Sequence, residues 1–289
     1  MRVPTLPRLR LPFLLVACLA FAGAAAGREG DAAREAAPLE DALPPQAELS
    51  GRDIYQCVLD NRFASYVQTS FLLSGDRGGA TQESRLRMTW RSFRAEDGAP
   101  DGAVLSKTIV KYTDPFDLRF SGYLVVNNDG RSDDQFVYLA ATRRIRRVNL
   151  RREAVFGTDF TFEDIVPAEI EDAEYRRLSD VVVDGRPVYV VEVTPKPHAD
   201  SEYSRFVVYV PRENCVPVRT RYWDEKGVEV KELRVPFEAV KSFDGVNWPM
   251  QLTMRNLKLE TFTTLTVEKL EPNANLPDRD FEVRRLMSH

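Results

Sequence analysis

The sequence predicts a mostly β protein of the α+β type: a large antiparallel sheet with one N-terminal helix and one short helical segment. Three observations predict it. Period-two alternation recurs along most of the chain, as in Arg85-Leu86-Arg87-Met88-Thr89-Trp90-Arg91 and Met250-Gln251-Leu252-Thr253-Met254-Arg255. Turn dipeptides separate the runs: Asp129-Gly130, Asp184-Gly185, Lys226-Gly227 and Asp244-Gly245. Long 3.6-residue periodicity is missing, so nothing suggests the crossover helices of a parallel sheet.

The elements follow in order. Ser50, with Asp53 three positions on, is a capping-box spacing, and Ile54, Cys57 and Val58 continue at helical spacing, which predicts a helix over 51–61. Strands are predicted at 65–74, 85–91, 104–112, 118–127, 135–140, 143–149, 173–183, 187–194, 203–210, 216–223, 228–235, 250–255 and 257–270, with a helical or irregular insert near 157–175. Many of these strands carry large apolar groups on one face and Arg, Lys, Glu or Thr on the other. Such a sheet must curl or pack against a second layer. With few helices available, its concave face is expected to be only partly filled.

The first fifty residues read as leader and tether. Met1 to Arg10 carries three arginines and no acid, Leu11 to Ala26 is apolar or small, and Ala24-Ala25-Ala26 offers a cleavage site. Residues 1–26 are therefore expected to be a signal peptide, 27–49 a flexible linker rich in Ala, Glu, Asp and Pro, and 50–289 the folded domain. A second exit competes: Leu15-Val16-Ala17-Cys18 looks like the tetrapeptide before a lipid-modified cysteine, although apolar residues follow it. The expected location is the periplasm, with membrane anchoring through Cys18 as the alternative.

Charge and composition narrow the function. The 289 residues hold 40 Lys and Arg against 44 Asp and Glu, a formal charge of −4. Losing Arg2, Arg8 and Arg10 with the leader makes it −7. That balance argues against nucleic acid as a partner. Two histidines and three cysteines exclude a His-rich metal centre and a zinc ribbon, and no cofactor is expected. An exported compartment permits a Cys57–Cys215 bridge. Nothing in the sequence brings the two within bridging range, and the reading leans to free thiols. His198, Ser201 and Asp200 are close in sequence, but adjacency is not triad geometry. A hydrolase would need His198 beside a nucleophile in a cleft, so the reading is non-enzymatic.

One stretch carries a resemblance. Asp114-Pro115-Phe116 and Ser121-Gly122-Tyr123-Leu124 precede Asp133-Asp134-Gln135-Phe136-Val137-Tyr138-Leu139. Arg143-Arg144-Ile145-Arg146-Arg147-Val148 and Phe156-Gly157-Thr158-Asp159-Phe160-Thr161-Phe162-Glu163-Asp164-Ile165 come next. This order resembles the outer membrane lipoprotein-sorting proteins, a branch of the LolA/LolB-like carrier superfamily. Trp248-Pro249, Met254-Arg255-Asn256, Thr263-Thr264-Leu265 and Phe281 extend the likeness over about residues 50–286. Phe136 stands where the family has Trp, Ala140 where it has Pro, Thr158 for Ser and Phe162 for Tyr.

The resemblance implies a half-open antiparallel β-barrel wrapping a hydrophobic cavity under a helical lid. It implies a periplasmic carrier of lipid or of lipoprotein acyl chains, working beside an inner-membrane exporter of the resistance-nodulation-division type. The family's lid-controlling arginine has no matching local motif here. The alternative is an interaction module that docks on such an exporter and takes up no ligand.

The candidate cavity and lid residues are Leu86, Met88, Trp90, Tyr123, Phe136, Tyr138, Phe156, Phe160, Phe162 and Ile165. For each, the plain alternative is core packing. Gly157 permits a sharp turn, and Thr158, Asp159 and Thr161 can cap a short helix. That segment is read as either a greasy lid or a plug. Arg143, Arg144, Arg146 and Arg147, with Arg151 and Arg152 beyond them, form the basic cluster, read as docking to anionic headgroups or a partner and as structural pairing. Alternation places Arg144 and Arg146 on one face and Arg143, Ile145 and Arg147 on the other.

Overall fold

The computed structural model describes residues 49–94, 102–149, 152–166 and 168–288. The expected leader, most of the linker, Cys18 and Arg151 lie outside the described residues. The chain opens with helix α1 (Gly51–Asp60), then strands β1 (Ser65–Asp76), β2 (Thr81–Ser92), β3 (Val104–Asp114), β4 (Gly122–Asn128), β5 (Asp134–Leu139) and β6 (Arg144–Val148). A one-turn helix α2 (Phe162–Ile165) follows, then β7 (Ala173–Val183), β8 (Arg186–Pro195), β9 (Arg205–Pro211), β10 (Arg219–Trp223) and β11 (Glu229–Arg234). Last come β12 (Val240–Phe243), β13 (Val246–Pro249), β14 (Gln251–Asn256) and β15 (Thr261–Pro272).

Thirteen strands form one antiparallel sheet in the order β6-β5-β4-β3-β2-β1-β15-β14-β11-β10-β9-β8-β7. The end strands β6 and β7 do not pair with each other, so the sheet is not a closed barrel. Strands β12 and β13 make a separate hairpin on the Asp244-Gly245 turn, two strands that the alternation did not reveal. The predicted strand starts at 118 and 257 fall in hairpin turns instead, where the backbone reverses before β4 and β15.

The pairing registers divide side chains cleanly between two faces. One holds Tyr66 opposite Trp90, and Met88, Val110, Tyr123 and Val137, each opposite the next across β2 to β5. Two covers lie on this face. Helix α1 puts Ile54, Tyr55, Val58 and Leu59 on Val191, Val193, Val208 and Val210 of β8 and β9. The segment 153–166 puts Val155, Phe156, Phe162, Ile165 and Val166 on Leu72, Leu86, Val110, Tyr112, Tyr123 and Val125. The opposite face of β3 to β6 lies under the C-terminal segment, where Leu276, Phe281, Val283 and Leu286 pack on Ile109, Leu124 and Tyr138. These are called the helix face and the tail face below.

Helix α1 starts where its caps dictate: the Ser50 hydroxyl accepts from the Asp53 N–H at 3.1 Å, and the Ser50 N–H donates to the Asp53 carboxylate at 3.0 Å. It is also fixed covalently. Cys57 and Cys215 are bridged with Cα atoms 5.6 Å apart, which corrects the expectation of free thiols. The two are 158 residues apart in sequence, and only packing of α1 across β8 and β9 brings them together.

Candidate functional site

The helix face is built by alternation. Leu86, Met88 and Trp90 share it because they are two apart on β2, and Tyr112 and Tyr123 join them through the registers Leu86↔Tyr112 and Val110↔Tyr123. Trp90 stacks on Tyr66 with centroids 5.6 Å apart, and Trp248 from the β12–β13 hairpin closes on Tyr66 at 4.9 Å. Further along the same face Tyr222 meets Tyr203 at 4.6 Å and Phe206 at 5.7 Å. Between the two covers, β14, β11 and β10 present Leu252, Leu233 and Tyr222, all half-buried. Polar side chains interrupt this strip, since Lys231 lies opposite Tyr222 and Thr220 opposite Leu233.

The segment 153–166 is folded on itself. The Val155 N–H donates to the Phe160 carbonyl at 2.8 Å and the Phe162 N–H to the Glu153 carbonyl at 3.3 Å. Phe156 and Gly157 both take positive φ at the tip, +46° and +77°, so the sharp turn expected at Gly157 begins one residue earlier. Phe156 lies 4.8 Å from Tyr112, and Phe162 meets Tyr123 edge-on at 5.2 Å. The segment's own rings thus occupy the aromatic bed of the sheet.

Polar contacts hold it there. Asp159 is buried, accepts from the Thr263 hydroxyl at 2.8 Å and also bonds the Thr261 hydroxyl. Asp164 accepts from the Thr161 N–H at 2.8 Å, capping α2, and from the Tyr203 hydroxyl at 2.8 Å. Lys231 of β11 reaches Asp164 at 3.1 Å, Glu202 at 3.3 Å and the Tyr203 oxygen at 2.8 Å. Burial first, then the charges of Asp164 and Glu202, push the Tyr203 phenol far above its ordinary range. Tyr203 therefore stays a neutral donor to Asp164. Burial likewise raises Tyr123 and Tyr222. Trp90 Nε1, Ser106 Oγ and Tyr112 Oη are buried on this face with no hydrogen-bond partner among the described residues.

The ten candidates are thereby sorted. Leu86, Met88, Trp90, Tyr123, Phe156, Phe162 and Ile165 gather on the helix face or beneath the segment covering it. Phe160 is half-buried just before α2, outside the apolar cluster. Phe136 and Tyr138 belong to the tail face, packed with Ile109, Leu124, Phe281 and Leu286. They sit one residue out of phase with Val137, and a one-residue offset sends a side chain to the other face. Sequence reading missed Tyr66, Tyr112, Phe206, Tyr222 and Trp248. Alternation within 65–74 and 216–223 carried a signal for Tyr66 and Tyr222, whereas Trp248 arrives only through the β12–β13 hairpin.

The basic cluster is also sorted. Arg147, on the tail face, pairs with Asp134. Arg143 lies in the β5–β6 turn, while Arg144 and Arg146 stand exposed on the helix face. Arg152 pairs with Asp200 at 3.1 Å. His198 is exposed and faces Asp172 at 3.3 Å, and the Ser201 hydroxyl is given to Glu163.

Solved structures share the fold. A domain from Vibrio parahaemolyticus described as an outer membrane lipoprotein-sorting protein is 22% identical, with TM-score 0.73, covering 82% of this chain and 98% of its own. A DUF1329 family protein from Desulfovibrio piger is 24% identical, with TM-score 0.75, covering 82% and 97%. A LolA superfamily protein from Nitrosomonas europaea is 18% identical, with TM-score 0.64, covering 82% and 100%. No curated protein matches the chain in sequence.

The open antiparallel sheet is thus a LolA-like fold. Within that fold, a family model described only as an uncharacterized protein matches residues 105–288, and the chain belongs to that family.

Proposed function

We propose that the protein is a carrier of the periplasm that takes lipid, or the acyl chains of lipoproteins, onto its helix face beneath the 153–166 segment. It then passes them toward the outer membrane or an envelope partner; the resemblance implies an inner-membrane exporter of the resistance-nodulation-division type. The observation that carries this reading is the bed of Leu86, Met88, Tyr112 and Tyr123, covered by Phe156 and Phe162 of a segment whose anchors are polar.

The physical argument is one of exchange. An acyl chain in water costs about 0.8 kcal/mol per exposed CH₂. A carrier must cover that surface yet release it. Phe156 and Phe162 supply a weak competitor for the same bed, so the empty protein keeps its strip dry and the loaded protein swaps ring for chain. The unpartnered donors Trp90 Nε1 and Ser106 Oγ offer hydrogen bonds to ester oxygens at the β2–β3 side of the strip. The lipid-contacting residues under this reading are Leu86, Met88, Trp90, Tyr123, Phe156, Phe162 and Ile165.

Native mass spectrometry of protein purified from the envelope, with a fluorescent fatty-acyl probe in parallel, tests it. Co-purified lipid and saturable probe binding are expected, and Phe156→Ala should tighten probe binding several-fold by removing the competitor. A protein free of lipid that binds no probe above a control would mean that the 153–166 segment is a permanent plug. The interaction-module alternative would then stand.

A further inference from the structure

Six connections between paired strands turn at one end of the sheet: the long β8–β9 connection (196–204) and five hairpins. The hairpin turns lie between β1 and β2 (77–80), β3 and β4 (115–121), β5 and β6 (140–143), β10 and β11 (224–228), and β14 and β15 (257–260). In the sheet these hairpins are consecutive, so the tips form one row. Side-chain contacts knit them. Arg77 pairs with Glu260 at 2.9 Å, Lys258 with Asp224 at 2.7 Å, and the Ala140 N–H donates to the Ser121 hydroxyl at 3.0 Å.

Eight large apolar side chains stand exposed among the described residues, and six belong to this row: Phe116, Phe120, Leu139, Val228, Leu257 and Leu259. Phe116 is 90% exposed and Leu259 70%. Scattered apolar residues on a surface need no explanation, but concentration along one rim does. The opposite turns at 129–133 and 184–185 and the 212–218 connection carry none of the eight.

We infer that this row of hairpin tips docks the protein on an anionic lipid bilayer, with Phe116 and Leu259 entering the interface. Charge complementarity selects the occupant. Beside Phe116, Phe120 and Leu139 stand Arg119, Arg143, Arg144 and Arg146, none in an ion pair among the described residues, with Asp114 and Asp117 the acids of the same turns. The Arg119 guanidinium lies 4.8 Å over the Phe120 ring, an aromatic and cation set together at one tip. Apolar groups flanked by arginines suit the boundary between headgroups and acyl chains. The apolar groups sit on separate tips rather than in one shaped groove, which a fluid surface accepts and a folded partner's pocket would not.

The rim also borders the polar anchors of the 153–166 segment. A cleft of about 360 Å³ between the 224–228 and 257–260 turns is lined by Lys226, Lys258, Glu202, Tyr203 and Lys231. Docking would thus set the Lys231–Asp164 contact beside the lipid surface. The inference does not need the carrier reading.

The test uses the exported protein carrying Cys18→Ala, so that no acyl anchor contributes, and vesicles of phosphatidylcholine with phosphatidylglycerol. Flotation with the vesicles is expected, and the F116D/L259D variant should lose about tenfold of it. Both positions are exposed, so folding is untouched, and unchanged acyl-probe uptake checks this. In the second arm F116W is made and the vesicles carry brominated lipid, which should quench its emission. No flotation, equal flotation of the variant, or unquenched emission from F116W each overturns the inference. So does a finding that the tip variant loses only an envelope protein partner. Failure here with probe uptake intact leaves carriage standing, and the reverse leaves docking standing.

Discussion

Asp164 of α2 and Lys231 of β11 meet 3.1 Å apart, with side chains 2% and 8% exposed, so the segment over the helix face is held to the sheet by a buried ion pair. Tyr203 joins both, donating to Asp164 and accepting from Lys231. Each charge depends on the other for its solvation.

Breaking that pair from one side should loosen the cover. Lys231→Met leaves Asp164 buried without its cation and is expected to cost about 3 kcal/mol. Urea unfolding measures the loss, and limited proteolysis should cut first within 153–166. The double variant Lys231→Met, Asp164→Leu should regain much of it. If the single variant is as stable and protease-resistant as the parent, the ion pair does not hold the segment.

The disulfide acts on the other cover. Replacing Cys57 and Cys215 by serine is expected to cost about 2–5 kcal/mol. It should do so without changing the protease sensitivity of 153–166, because the bridge ties α1 to the β9–β10 connection. Thermal unfolding with and without reductant shows it: only the parent should lose melting temperature on reduction.

The two faces should separate by mutation. Leu286 is fully buried on the tail face, and Leu286→Ala is expected to cost about 2–5 kcal/mol while leaving acyl-probe affinity unchanged. Met88→Glu on the helix face should abolish probe binding at a smaller cost, since Met88 is only half-buried. Loss of probe binding by the Leu286 variant at temperatures where it stays folded would refute the division.

Acid should weaken the β4–β5 turn. Asp134 is held down to about 2 from an ordinary 3.8, first by its hydrogen bond with Arg131, then by Asn128 and Arg147. A depressed carboxylate adds stability above its unfolded pKa and loses it as pH falls through the folded one. Its contribution is therefore whole above about pH 4 and disappears toward pH 2. Melting temperatures of the parent and Asp134→Asn, compared between those limits, should converge at the acid end. A constant gap would exclude this linkage.

Much of the secondary structure was legible because it is local. The Ser50–Asp53 box starts α1, and alternation of apolar and polar residues marks β2, β3, β7 and β14 within a few residues. The sequence also placed Leu86, Met88 and Trp90 on a common face, and separated Arg144 from Arg147. The sequence predicts strand through 257–260 and 118–121 because apolar residues continue there. The reason is now visible: Leu257, Leu259 and Phe120 stand exposed at hairpin tips, where no sheet packing demands them.

Periodicity alone determined which side chains travel together on each strand. It did not determine which of the two faces would be covered, or by what. Phe136 and Tyr138 alternate as well as Tyr123 does, yet they lie under Phe281 and Leu286, distant in sequence. Cys57 met Cys215, and Asp164 met Lys231, only when strands far apart in the chain became neighbours. A face is a property of one strand's backbone, whereas its cover is decided by long-range burial, where the segment that removes the most apolar surface from water prevails.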